Sequence, residues 1–105
     1  MLTAITFFER FEADILSGAK IITLRDEAES HVAVGQILPV STFEAGRWFC
    51  DIEILAVSPI TLAQLTDVEA DAENMTLAEL HQVIGEIYPG LDQFYKIEFR
   101  CLTPR

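Results

Sequence analysis

A chain of 105 residues, half of them hydrophobic and seven of them phenylalanine, has apolar mass for one core and no room for a second, so a single domain over residues 1–105 is expected without a metal or disulfide staple. Seven Lys and Arg against seventeen Asp and Glu give a formal charge of −10 and a pI near 4.4, a field that repels phosphates, disfavours long nucleic acids and leaves small neutral molecules unpenalised. Glu9, Arg10, Glu12 and Asp14 interrupt the apolar N-terminal residues, so no signal segment, spanning helix or membrane partner is expected and the chain reads as cytoplasmic.

The first helical pattern runs from about Phe8 to Ser17, with Phe8, Phe11, Ile15 and Leu16 on one face and Gly18 placed to stop it. Strands are expected over Ile21 to Arg25, Ile37 to Phe43 and Arg47 to Val57, rich in β-branched and aromatic residues and separated by turn chemistry around Gly35 and Gly46. Thr61-Leu-Ala-Gln64 and Thr76-Leu-Ala-Glu79 both match a capping box, so each should start a helix. The second start is followed by Leu77, Leu80, Val83, Ile84, Ile87 and Tyr88 at helical spacing, and Pro89-Gly90 ends that run. Between the two helices lies the acidic stretch Asp67 to Asn74. From Phe94 to Cys101, Tyr95, Ile97, Phe99 and Cys101 alternate with Phe94, Lys96, Glu98 and Arg100, as in a strand with one wet face. Strands before and after a helical block imply an α+β domain with a curled, barrel-like sheet.

Cys50 and Cys101 sit in apolar runs without CxxC or Cys/His ligand spacing; both read as reduced core residues, and neither a metal nor another cofactor is expected. The segment Gly18-Ala-Lys20-Ile-Ile-Thr23-Leu-Arg25 puts a lysine, a hydroxyl and an arginine at a helix-to-strand junction. A neutral amine beside a hydroxyl can take its proton and make it a nucleophile. Residues three apart on a regular strand face opposite ways, so Lys20 reaches the side of Thr23 only if the chain around Ala19 to Ile21 is still turning. On spacing alone a simpler reading outweighs catalysis: a solvated loop lysine, a β-forming threonine and a surface arginine. Glu73 likewise reads with Asp67, Glu69 and Asp71 as part of a solvated acidic face. His31 reads as a hydrogen-bonded structural residue. Of Trp48, Phe49, Tyr88, Phe94 and Tyr95, the core takes all but one at most.

Taken together, ITFFERFEADILSG, the Lys20-Ile-Ile-Thr23-Leu-Arg25-Asp26 run to His31, ENMTLAEL, and IYPG with QFYKIEF resemble the bacterial ASCH-domain proteins that act as N(4)-acetylcytidine amidohydrolases. The resemblance covers nearly the whole chain; the Gly-x-Lys-x-x-Thr-x-Arg pattern and the Glu-Asn-Met segment are specific in combination. It implies a PUA-like fold, a small β-barrel with flanking helices, and three roles: Lys20 as proton acceptor, Thr23 as nucleophile and Glu73 as proton donor. Arg25 is expected to crowd Lys20 with charge and to bind substrate, and backbone N–H groups of the Gly18 turn to receive the oxyanion. The implied partner is a nucleoside. The alternative within the same fold is a non-catalytic RNA-binding or transcription-associated module, which would need a basic groove. One departure from the family is Ile21, where close relatives carry threonine; it bears on substrate orientation.

Overall fold

β4 (Trp48–Thr61) organises the molecule, because it is long enough at 14 residues to pair with β3 (Ile37–Thr42) through its first part and with β5 (Gln93–Cys101) through most of its length. The structure is a computed structural model that describes residues 1–102. With β1 (Ile5–Phe7) and β2 (Ile22–Arg25) at its edges, the five-stranded sheet has the order β1-β3-β4-β5-β2. β1 pairs with β3 in parallel, and the other neighbours are antiparallel. β1 adds a strand to those expected; at three residues it offers no alternation to read. β4 also runs four residues beyond the expected end at Val57.

The sheet curls for a local reason. The pairing of β4 with β5 shifts register between Ile54 and Ala56, and that of β3 with β4 between Val40 and Ser41; such bulges bend a strand and increase its twist. The bulge at Leu55 also changes which side chains face inward. Cys50, Ile52 and Ile54 join Leu38, Val40, Ile97 and Phe99 in one core, against which Val57 also packs, while Ile60 joins Leu24 and Phe94 on the other face. Phe94, which shares its side of β5 with Lys96, Glu98 and Arg100, is core as expected of most of the aromatics, fully buried under helices.

α1 (Glu12–Ser17) covers the first core with Ile15, and Phe11 and Leu16 pack beside it. The helix expected from Phe8 begins instead as a 3₁₀ turn at Glu9–Phe11. The Thr61 capping box is present but caps only a 3₁₀ turn, Leu62–Gln64. The helix there is α2 (Asp67–Ala72), started by a second box in which Thr66 and Glu69 bond reciprocally. The acidic stretch is thus a short helix with buried members: Ala70 and Leu65 join Leu80 and Ile84 of α3 (Leu77–Ile87) in the second core, and Lys96 of β5 donates to Glu69 at 3.1 Å. α3 starts at the Thr76 box as expected. Both cysteines are free, Cys50 buried and Cys101 partly so. No helix of the described residues is long and apolar enough to cross a membrane.

Candidate active site

The junction between α1 and β2 is a turn stitched to two helices. Gly18 takes φ +83°, a left-handed conformation natural to glycine, and closes α1 with its N–H on the Ile15 carbonyl. Lys20 N–H then donates back to Asp14 of α1 at 3.0 Å, and Ile21 N–H to Ala72 of α2 at 2.8 Å. The chain is therefore still turning at Lys20, which meets the condition for placing that side chain with Thr23. Lys20 Nζ leans along the start of β2 and donates to the Ile22 carbonyl at 2.8 Å. Thr23 and Arg25 lie on the face of β2 opposite Leu24, whose side chain enters the second core.

Glu73 arrives from the far side by a different device. It caps α2, its N–H donating to the Glu69 and Ala70 carbonyls, and Asn74 follows at φ +59°. Asparagine tolerates that left-handed turn better than most residues, and its amide donates to Asp14 at 3.3 Å. The reversal aims the Glu73 carboxylate inward, where Lys20 Nζ donates to Oε1 in a buried ion pair. Lys20, Thr23, Arg25 and Glu73 are 3, 5, 8 and 6% exposed, so Lys20, Arg25 and Glu73 are not the solvated residues that spacing alone suggested.

Burial pushes the Lys20 ammonium below its ordinary lysine value, the charge and hydrogen bond of Glu73 oppose that shift, and Arg25 adds to it; the outcome is a lowered pKa. Crowding by Arg25 is thus real but secondary to desolvation. The guanidinium of Arg25 is held by three acceptors: Thr23 Oγ1 at 3.1 Å, Glu29 Oε2 at 3.1 Å and the Thr6 carbonyl at 2.7 Å. Each of its nitrogens has a protein partner, three bonds for a group with five N–H donors, and Arg25 also lines the cavity beside Thr23. The Gly18, Lys20 and Ile21 N–H groups donate to backbone carbonyls and Ala19 N–H to Ser17 Oγ. All four N–H groups of the turn expected to receive an oxyanion are thus engaged within the protein.

These residues line one cavity of about 220 Å³. Lys20, Thr23 and Glu73 stand with Phe7, Phe11, Leu80 and Ile84 in its wall, and Phe8, Phe43 and Ile87 frame its mouth, Phe43 being 65% exposed. Lys20 Nζ lies 5.6 and 5.2 Å from the ring centres of Phe7 and Phe11. An open depression next to the mouth shares Phe8 and Ile87 and adds Arg10, Glu44 and Glu86. Of the aromatics weighed in the sequence, Tyr88 lines the cavity and Phe49 and Phe94 are core. The phenylalanines at residues 7, 8, 11 and 43 were missed; only their density near the N-terminus hinted at them. His31 and Ile21 are not among the lining residues, and Ile21 is about half exposed, so the departure from the family pattern falls outside the cavity. Among the described residues no group of three or more His, Cys, Asp or Glu is arranged to hold a metal.

The curled sheet with flanking helices is the fold of ASCH domains, a PUA-like α+β architecture. It superposes on the ASCH domain from Lactobacillus crispatus with a TM-score of 0.77 at 16% identity, covering 94% of this chain and 79% of that one. For the ASCH protein of Zymomonas mobilis the TM-score is 0.75 at 12% identity, over 96% and 70% of the two chains. No protein-family model matches the sequence. Curated relatives are far nearer in sequence: the chain is 69% identical over 103 residues to the N(4)-acetylcytidine amidohydrolase of Shewanella baltica strain OS195, covering 98% of both chains. It is 70% identical over 103 residues to the protein of the same name from Shewanella oneidensis, covering 98% of this chain and 99% of that one. The chain belongs to the N(4)-acetylcytidine amidohydrolase family.

Proposed function

We propose that this chain, acting as one ASCH domain on a free nucleoside, hydrolyses the acetamide of N(4)-acetylcytidine to cytidine and acetate, with Thr23 as nucleophile, Lys20 as its base and Glu73 as the acid. The observation that carries this reading is the buried Lys20–Glu73 pair in the same cavity wall as Thr23. Lys20 Nζ donates to Glu73 Oε1 in one hydrogen bond. Moving that proton from Nζ to the carboxylate yields a neutral amine and a carboxylic acid together, the two forms that acyl transfer needs.

Lys20 then takes the Thr23 proton as Oγ1 attacks the acetyl carbonyl, and the new ammonium stands close to the developing oxyanion. Collapse breaks the C–N bond while Glu73 delivers its proton to the exocyclic nitrogen, which releases cytidine and leaves acetyl-Thr23. Water attacks the ester, giving a proton to the Glu73 carboxylate, and Lys20 returns its proton to Thr23 as acetic acid departs. The cycle restores amine and acid. The apolar wall suits a flat ring, and Phe43 at the mouth offers a face for stacking. Glu44 and Glu86 outnumber Arg10 in the depression next to the mouth, which, with the acidic net charge of the chain, favours an uncharged nucleoside over a phosphate-bearing strand and supports the enzyme reading over the RNA-binding one. The test is incubation of the pure protein with N(4)-acetylcytidine, with cytidine and acetate measured in equal amounts; no product from folded protein refutes the proposal.

A further inference from the structure

Arg25 connects parts of the molecule that the sheet itself leaves apart. β1 and β2 are the two outer strands, yet Arg25 of β2 donates to the Thr6 carbonyl of β1 and lies with its guanidinium 4.7 Å from the centre of the Phe7 ring. Its Nη1 meets Glu29, and the other oxygen of that carboxylate accepts from Tyr88 Oη at 3.1 Å. Tyr88 closes α3 and packs edge-on against Phe94 at 5.8 Å, so the series ends in the second core. At its other end Nε donates to Thr23 Oγ1.

We propose that Arg25 is a positioning residue for Thr23, held in register by Glu29 and Tyr88, and that this series fixes the direction of the Thr23 hydroxyl proton. The inference rests on Thr23 being the nucleophile. A hydroxyl has one proton and two lone pairs. With Nε filling one lone pair, the proton is excluded from the Arg25 side and left to point into the cavity, where Lys20 stands. A planar guanidinium can satisfy three acceptors in fixed directions, whereas an ammonium at the same place cannot reproduce that fork. Burial, with the charge of Glu29, pushes the Tyr88 phenol up to about 12, so it remains a donor over any ordinary working pH. Glu29 and Tyr88 act through Arg25, so their effects are in series.

The test compares wild type with Arg25→Lys, Glu29→Gln, Tyr88→Phe and the double Glu29→Gln/Tyr88→Phe. Two readouts are taken on folded protein: kcat and KM with N(4)-acetylcytidine, and the rate of Thr23 acetylation by p-nitrophenyl acetate, followed by mass spectrometry. Arg25→Lys should lower kcat and the acetylation rate together by about 10²-fold with KM nearly unchanged, the scale of a misplaced reacting group. Glu29→Gln should lower both by about tenfold, and the double variant should be no worse than Glu29→Gln alone. A raised KM with unchanged kcat would make Arg25 a substrate-binding residue and overturn the proposal; so would unchanged acetylation in Glu29→Gln, which decides the matter if Arg25→Lys does not fold. Wild-type protein whose Thr23 is acetylated but which ignores N(4)-acetylcytidine refutes the proposed substrate and leaves the positioning role to be read from acetylation. Wild-type protein that does neither has no nucleophile to position, which overturns both.

Discussion

Glu73→Gln isolates the physics of the buried pair, because it removes a charge while keeping shape and hydrogen-bonding capacity. Glu73 supplies two of the influences that hold the Lys20 pKa up, its charge and its hydrogen bond; burial and Arg25 both act downward. Without the carboxylate, Lys20 is left as an unpaired buried cation, a situation that costs about 3–5 kcal/mol. Lysine can escape by losing its proton, and this sets an upper limit. Deprotonating a lysine whose ordinary value is 10.5 costs roughly 5 kcal/mol at pH 7 and about 1.4 kcal/mol less for each pH unit above it. The unfolded variant then holds a proton that the folded variant lacks, so the stability of the variant rises with pH up to the unfolded lysine value. Wild-type Lys20 keeps its proton further into that window, so the gap between the two proteins narrows from pH 7 toward pH 10. Urea unfolding followed through Trp48, the single tryptophan, at pH 7 and 9.5 measures both. A penalty that is independent of pH, or below about 1 kcal/mol at pH 7, would mean that Lys20 is not desolvated as the structure describes, and the base assignment would lose its support.

The same variant should slow N(4)-acetylcytidine hydrolysis by roughly 10² to 10⁴-fold yet spare much of the rate toward an activated acetyl ester whose leaving group needs no proton; equal losses on both substrates would refute Glu73 as proton donor. Thr23→Val should abolish turnover at a stability cost of about 1–3 kcal/mol, because it leaves the buried Arg25 Nε without its acceptor; wild-type activity in Thr23→Val would remove the nucleophile assignment. Lys20→Arg keeps the charge but cannot offer a neutral amine, so activity should collapse, and retention of most of the rate would send the search for the base elsewhere. Phe43→Ala, at an exposed position on the mouth, should raise KM several-fold and leave kcat near wild type; an unchanged KM would show that the ring does not stack there. Burial and the neighbouring Cys101 push the Cys50 thiol up to about 12, so iodoacetamide at pH 8 should label Cys101 first in native protein, and equal labelling would contradict the packing of β4 against β5.

Local signals in the sequence carried the order of most elements. The Thr76 capping box and the spacing from Leu77 to Ile87 specify α3, Gly18 specifies the end of α1, and alternation specifies the inner residues Ile97 and Phe99 of β5, because each signal depends on neighbours within one or two turns. The resemblance carried by Lys20-x-x-Thr23-x-Arg25 and Glu73-Asn74-Met75 supplied the family, which the curated relatives bear out. Other features depended on partners distant in the chain. β1 exists only because β3 pairs with it, the bulge at Leu55 that moves Ile60 to the second core comes from the register of β4 on β5, and Glu73 becomes more than one carboxylate in an acidic run only when α2 folds back over Lys20. Charge alone placed Lys20 and Arg25 in water, where such residues are found unless paired. The tertiary structure buries both, because Glu73 lies 53 residues from Lys20 and the Thr6 carbonyl 19 residues from Arg25, separations at which no spacing rule operates.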